Sequence, residues 1–393
     1  VTTIEYSTIK MKIFISLLVF ITFCNPKKEP KKKEIVKKSE SVKIIDTVLN
    51  KKILKAVDSI LIKHKFNGQI LIAKNDNVII DSSIGYINFK DSSRIKRSTP
   101  FHLASVSKTF TGMLCMKLYE ENKLDFNDLV IKYLPLFPYK NVTVSELLSH
   151  TSVLPDYANF ITIEKRDFLK KKNNIDLNKL SKTELSYYTN EDILEYIIKY
   201  SPDPISNPKK EFQYCNTNYA ILAIIIERIT NMDYPSVLKK YIFNKYGLRN
   251  TFVFTKNNID TYIPSYKENN EVWGLEKFDL IYGDKNIYST TVDLLLWDNL
   301  LKSEGFLKKK TIELAYEPKS VINKENKTYG YGWRLIFPKN EEKIIYHNGW
   351  WHGNNTALIR LINENAVIII LGNRYNDFIY SYKRFVDILR NIN

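Results

Sequence analysis

The apolar positions along the chain change their period twice, and those changes mark out its organisation. Residues 44–66 place Ile45, Val48, Leu49, Ile53, Leu54, Val57, Ile60 and Leu61 at helical spacing, the pattern of a helix that covers one face of a sheet. Gln69–Ala73 and Val78–Ser82 then run apolar on either side of Lys74-Asn75-Asp76-Asn77, which predicts a β-hairpin. From Val106 to Tyr119 charges are few, so this segment reads as a helix apolar around most of its circumference and enclosed by protein. A loop at Tyr133–Pro138 precedes a short helix over Val142–His150, with Thr143 or Ser145 as its cap and Glu146 in its first turn. Helical spacing continues through Ile193–Ile198, Tyr219–Ile229, Val237–Phe243 and Thr291–Leu301. Short β-rich runs then return at Trp333–Phe337, Lys343–Tyr346, Thr356–Leu361 and Ala366–Leu371, an antiparallel meander followed by a helix from Asp377 to Arg390. The expected fold is α/β (α+β): an antiparallel sheet built from both chain ends and flanked by helices. A mostly helical subdomain is inserted over about 110–300, with a cleft where the two parts meet.

Two segments precede this 44–393 domain. Met11-Lys12 leads into an apolar run from Ile13 to Phe23, too short to span a bilayer and patterned like a secretory signal. Ile21-Thr22-Phe23-Cys24 resembles a bacterial lipobox. Residues 1–24 are therefore expected to be upstream residues plus a lipoprotein-type signal peptide, with Cys24 the lipidation site. Residues 25–43 are Lys-rich, Pro-containing and poor in apolar side chains, which describes a disordered tether. The expected location is the bacterial cell envelope, on a membrane through the lipid anchor. The formal charge of +16 comes from scattered lysines without a nucleic-acid-binding motif, so no nucleic-acid partner is expected. Cys115 and Cys215 make no disulfide framework, and no Cys/His spacing resembles a metal site. No cofactor or metal is expected, and the protein is read as a monomer.

Three stretches carry candidate chemistry. Ser105 stands at the head of the enclosed helix, and Lys108 returns to the same face one turn later. A hydroxyl is inert as a nucleophile until a base takes its proton, and an adjacent lysine is such a base. The ordinary role for a serine at that position is an N-cap, and Ser-x-x-Lys recurs at Ser93/Lys96. What distinguishes Lys108 is a charged group on a helix that otherwise looks buried. Tyr214-Cys215-Asn216 precedes the apolar helix Tyr219–Ile229. A tyrosine there can act as a base beside cations, and the asparagine can bond both a lysine and a substrate amide. His347-Asn348-Gly349-Trp350-Trp351-His352-Gly353 closes a strand, with glycines that admit another backbone closely.

In this order the three stretches resemble the motifs of the β-lactamase-like serine hydrolases: class C β-lactamases, penicillin-binding D-alanyl-D-alanine carboxypeptidases, and related esterases and D-aminopeptidases. Glu146–Tyr157, Tyr288-Ser289-Thr290 with Asp293, and Tyr329–Trp333 also look familial, and the likeness covers roughly residues 65–375. The resemblance implies a β-lactamase/transpeptidase-like fold and an acyl-enzyme on Ser105. Lys108 and Tyr214 would move its proton, Asn216 would orient Lys108 and the substrate, and the N–H groups of Ser105 and Trp350, beside Gly349, would form the oxyanion hole. His347 replaces the lysine that opens this third motif in β-lactamases proper. That departure favours an ester or D-amino-acid peptide over a β-lactam, because histidine near pH 7 is mostly neutral. Val153 and Asn286 stand where relatives usually have glycine, and His102, His150 and His352 are read as structural. A small-molecule or peptide substrate is thus expected. Two other readings stay open: a non-catalytic penicillin-binding-like module that holds peptidoglycan peptide or another ligand without turnover, and a basic protein using its tether on anionic membranes.

Overall fold

The computed structural model describes residues 48–159, 187–205, 211–323, 326–339 and 342–391. The expected signal segment, Cys24 and the 25–43 tether lie outside the described residues. Among these, no helix is long and apolar enough to cross a membrane.

An eight-stranded antiparallel sheet is assembled from the two ends of the chain. The N-terminal end supplies β1 (Gly68–Lys74) and β2 (Asn77–Ile84), joined by Asn75 and Asp76 at φ 51 and 61°, the left-handed pair that a two-residue hairpin turn requires. The C-terminal end supplies β3 (Ser320–Asn323), β4 (Lys327–Tyr329), β5 (Arg334–Ile336), β6 (Ile344–Trp351), β7 (Asn354–Leu361) and β8 (Ala366–Gly372), and the spatial order is β3-β4-β5-β6-β7-β8-β1-β2. β1 is thus clamped between β2 and β8, with Gly68 opposite both Ile84 and Gly372.

Alternation sends the two faces of this sheet into two cores. Ile70, Ile72, Tyr346, Ile359, Ile368 and Ile370 pack with Ile53, Val57 and Leu61 of α1 (Val48–Lys63) and with Phe385, Val386 and Leu389 of the C-terminal helix. Leu71, Leu335, Ile345, Leu358, Ile369 and Leu371 face the inserted helices. These include α2 (Ser107–Glu120), α3 (Val144–Ser149), α4 (Asn190–Tyr200), α5 (Asn216–Thr230) and α6 (Thr291–Lys302). Both β7 and β8 are buried along their full length; β8 accordingly reads as a continuous apolar run, whereas β7 also buries Asn354, Asn355, Thr356 and Arg360. Thr143 caps α3 in a reciprocal box with Glu146, as its sequence implies.

The middle of the chain is less uniformly helical than its periodicity implies. Phe101–His102 and Phe252–Val253 flank Ile287–Ser289 in a small sheet, and Ser265–Tyr266 pairs with Val272–Trp273. Strands of two or three residues offer too few positions for a period to show. The last helix is interrupted: a 3-10 turn at Asp377–Tyr380 precedes the α-helix Tyr382–Asn391. One length difference shapes the site. β5 pairs with β6 only as far as Arg334 opposite Tyr346, whereas β6 runs on to Trp351, so its last turnless stretch has lost the β5 neighbour along one edge.

Candidate active site

Ser105 is carried not by the first turn of α2 but by a 3-10 turn, Ala104–Val106, set just before it. The start of α2 receives no side-chain cap, so Ser105 does not serve as one. Ala104 adopts φ 48°, a left-handed conformation that costs a non-glycine residue about 1 kcal/mol or more. Its surroundings impose that geometry. The Ala104 N–H donates to His102 Nδ1 at 3.0 Å, and His102 Nε2 lies 2.9 Å from Asn286 Oδ1. Burial pushes His102 down to about 4, so the ring is neutral, accepts at Nδ1 and donates from Nε2 to Asn286. From the opposite side, Thr356 Oγ1 donates to the Leu103 carbonyl at 2.6 Å. A Cβ on Gly349 would fall 2.3 Å from that same carbonyl oxygen and 3.0 Å from the Ala104 Cβ, so only glycine lets β6 lie this close to the turn.

Lys108 is fully buried, and its Nζ reaches three oxygens: Ser105 Oγ at 3.1 Å, Asn216 Oδ1 at 2.9 Å and the Asp284 main-chain carbonyl at 2.9 Å. The ring of Tyr214 stands over it, centroid 4.9 Å away. The Tyr214–Asn216 turn is held by His150, whose carbonyl accepts from Gln213 N–H at 2.7 Å and whose Nδ1 accepts from Cys215 N–H at 3.2 Å. His150 itself closes α3 at φ 59°. The structure thus brings Ser105, Tyr214, Asn216, Gly349 and Trp350 to one cleft of about 600 Å³, bordered by the end of β6 that β5 leaves uncovered, with Lys108 buried behind Ser105 and Asn216.

His347 is placed differently. It is fully buried beneath the cleft, with Nδ1 donating to the Asn348 carbonyl at 2.7 Å and Nε2 accepting from the Tyr329 hydroxyl at 3.0 Å. Burial, then the charges of Arg334 and Lys108, hold it well below the usual histidine range, so it is neutral and both ring nitrogens are engaged. The His347 ring therefore does not line the cleft itself but lies behind its wall, 6.5 Å from the ring of Tyr214. Positive charge on the cleft wall comes from Arg334 of β5, stacked 5.1 Å from the Tyr214 ring centroid, and from Lys285, which is paired with Asp284. Sequence reading passes over Arg334, since a single arginine in a β-rich run carries no spacing signal.

A second set of residues secures the oxygens around Lys108. Asp156 Oδ2 accepts from the Asn216 N–H at 2.7 Å, and the Tyr157 N–H donates to Thr217 Oγ1 at 2.7 Å. The Tyr157 hydroxyl donates to Asp284 Oδ2 at 2.7 Å and accepts from Lys285 Nζ at 2.7 Å. Burial, then the Asp284 charge, pushes the Tyr157 phenol well above its ordinary range and keeps it a hydroxyl. Burial pushes Lys285 down, partly offset by Asp284 and Asp279. Adjacent residues Asp156 and Tyr157 therefore anchor the two residues that carry the other acceptors of Lys108, Asn216 by its main-chain N–H and Asp284 by its carboxylate. The stretch containing them is legible as a motif; its partner pair Asp284-Lys285, set between Gly283 and Asn286, carries no such signal. His352 is paired with Asp279 at 3.0 Å. Among the described residues no cluster of His, Cys, Asp and Glu is arranged to hold a metal ion.

A model of the Beta-lactamase family matches residues 56–383. Penicillin-binding protein 4* of Bacillus subtilis (strain 168) is 32% identical over 334 residues, covering 81% of this chain and 70% of its own length. The chain spans about two thirds of the length of the curated relatives it matches. The octameric penicillin-binding protein homologue from Pyrococcus abyssi shares the fold at a TM-score of 0.70 and 23% identity, over 87% of this chain and 77% of that one. The D-amino acid amidase from Ochrobactrum anthropi SV3 does so at 0.69 and 19%, over 88% and 99%.

Proposed function

We propose that this chain, which belongs to the Beta-lactamase family, is a serine hydrolase that forms an acyl-enzyme on Ser105 and acts on D-amino-acid-containing peptides or related esters. The observation that carries this reading is the set of three oxygens around Lys108. As an uncharged amine Lys108 has two N–H bonds and one lone pair. Asn216 Oδ1 and the Asp284 carbonyl occupy the two N–H bonds, which leaves the lone pair for the Ser105 proton. Once Lys108 is protonated, all three oxygens are acceptors, so the proton is received without rearrangement.

In this mechanism the Ser105 oxygen attacks the substrate carbonyl while its proton passes to Lys108. The N–H groups of Ser105 and Trp350 hold the oxyanion, and each such donor is worth about 3 kcal/mol in the tetrahedral state. Tyr214, between Lys108 and Arg334, relays a proton to the leaving group and then draws one from the water that releases the acyl group. Arg334 supports a substrate whose leaving side bears a carboxylate, as a peptide's C-terminal residue does. A D-amino acid amidase among the structural neighbours is consistent with that class. β-Lactams, which bear a carboxylate as well, are placed second.

The test is intact-mass spectrometry of the purified chain after separate incubation with a reactive aryl ester, a penicillin and a fluorophosphonate. One adduct mapping to Ser105 is the expected result. A folded protein that takes up none of the three would replace the hydrolase with a module that binds without turnover.

A further inference from the structure

The cleft does not end at Trp350. Beyond it lies a second hollow of about 580 Å³, lined by Lys267, Glu268, Asn269, Trp273, Trp350 and Tyr375, and Trp350 and Tyr375 belong to both. Three separate parts of the chain converge to build it: the hairpin Ser265–Tyr266/Val272–Trp273, the residues after β8, and the end of β6. Their relative positions are locked. Tyr266 N–H donates to the Asn373 carbonyl at 2.8 Å and Tyr375 N–H to the Tyr266 carbonyl at 2.9 Å, and a Cβ on Gly353 would fall 2.2 Å from that carbonyl oxygen.

The rings are held as well. Trp350 Nε1 donates to the His352 carbonyl at 3.0 Å, and the Trp273 ring lies 5.6 Å from that of His352. Yet Trp350 remains 57% exposed. A large apolar ring fixed in position and left open to water contributes little to folding, and such surfaces mark recognition.

We propose that this hollow is a saccharide subsite, which receives a sugar ring carried by the substrate of Ser105; the link to Ser105 rests on the hydrolase reading above. A sugar ring has apolar C–H faces and a rim of hydroxyl groups. Trp350, Trp273 and Tyr375 offer flat faces to the former, and Lys267, Glu268 and Asn269 offer donors and acceptors to the latter. A fatty acyl chain needs a continuous aliphatic wall, and none of these six side chains is aliphatic. An extended peptide finds its hydrogen bonds along the uncovered edge of β6 instead.

Titration of the full chain with the trimer of N-acetylglucosamine, followed by tryptophan fluorescence, tests the assignment. Saturable quenching is expected, with affinity falling roughly tenfold in Trp273→Ala and Asn269→Ala. Hydrolysis of a small aryl ester and the melting temperature should stay close to wild type in both variants. No response to the trimer, or equal affinity in Trp273→Ala, overturns the subsite. Quenching by decanoate but not by the trimer assigns the hollow to an acyl chain and overturns it too. A chain that binds the trimer normally while Ser105 takes up no reagent keeps the saccharide site and removes only the hydrolase.

Discussion

Ser105 sits half-buried with its oxygen already bonded to Lys108, and substitution should separate chemistry from folding. Ser105→Ala is expected to lower kcat by roughly a thousandfold or more while leaving the thermal midpoint near wild type; turnover within tenfold would move the nucleophile elsewhere. Tyr157→Phe removes a hydroxyl that bonds Asp284 and Lys285 without altering ring packing. It should cost roughly ten- to a hundredfold in kcat with KM little changed, because it displaces the carbonyl that receives a Lys108 proton. An unchanged kcat with lowered stability would make Tyr157 purely structural. The two positions read from the sequence as departures from glycine part company. Val153 and Asn286 both have left-handed backbones, at φ 58 and 74°. Val153→Gly relieves a β-branched residue from that conformation and should raise stability by about 0.5–1 kcal/mol in urea titration. Asn286→Gly should lower it, because the Asn286 side chain bonds His102 at 2.9 Å and the Asp279 carbonyl at 2.6 Å.

Between elements, the decisive contact is the approach of β6 to the turn before α2. Gly349 leaves no room for a methyl group there. Gly349→Ala should separate β6 from Ser105 and cut acylation by roughly a hundredfold, more than its loss of stability explains. Acylation kinetics alongside urea midpoints would check this, and proportional losses would mean that the contact serves folding alone. Helix α5 reaches the cleft through its first residue, Asn216, whose N–H is fixed by Asp156, and stands the Tyr219 ring 5.6 Å from Lys108 Nζ behind it. The rest of that helix, Tyr219 to Ile226, is buried core. Elsewhere the sheet is coupled to α6 by the buried pair Arg360–Asp298 at 2.5 Å; losing Asp298 would strand the Arg360 charge, whereas Asp298 also pairs with Lys302 at 2.7 Å.

At the scale of the whole molecule, three buried histidines make stability sensitive to acid. His102, His150 and His347 are all held below the ordinary histidine range, in each case chiefly by burial. Unfolding lets them bind protons the native state refuses, so stability is complete above about pH 6.5 and falls as pH drops towards 4; His102 alone is worth on the order of 3 kcal/mol. Urea midpoints measured from pH 7.5 to 4.5 should decline steeply below 6.5, and a flat profile would mean these rings charge without unfolding. The hydrophobic pattern by itself determined a sheet made from both chain ends, an apolar helix behind Ser105 and the order of the three motif stretches, because such features are written in local periodicity and short spacing. Which atoms surround Lys108 was decided only in three dimensions. Asp284 is far from it in sequence, the pairing of β5 with β6 sets Arg334 on the cleft wall while His347 is buried, and a glycine within β6, Gly349, lets that strand approach the nucleophile. Those relations depend on register and close approach between distant segments, and a one-dimensional pattern holds no record of either.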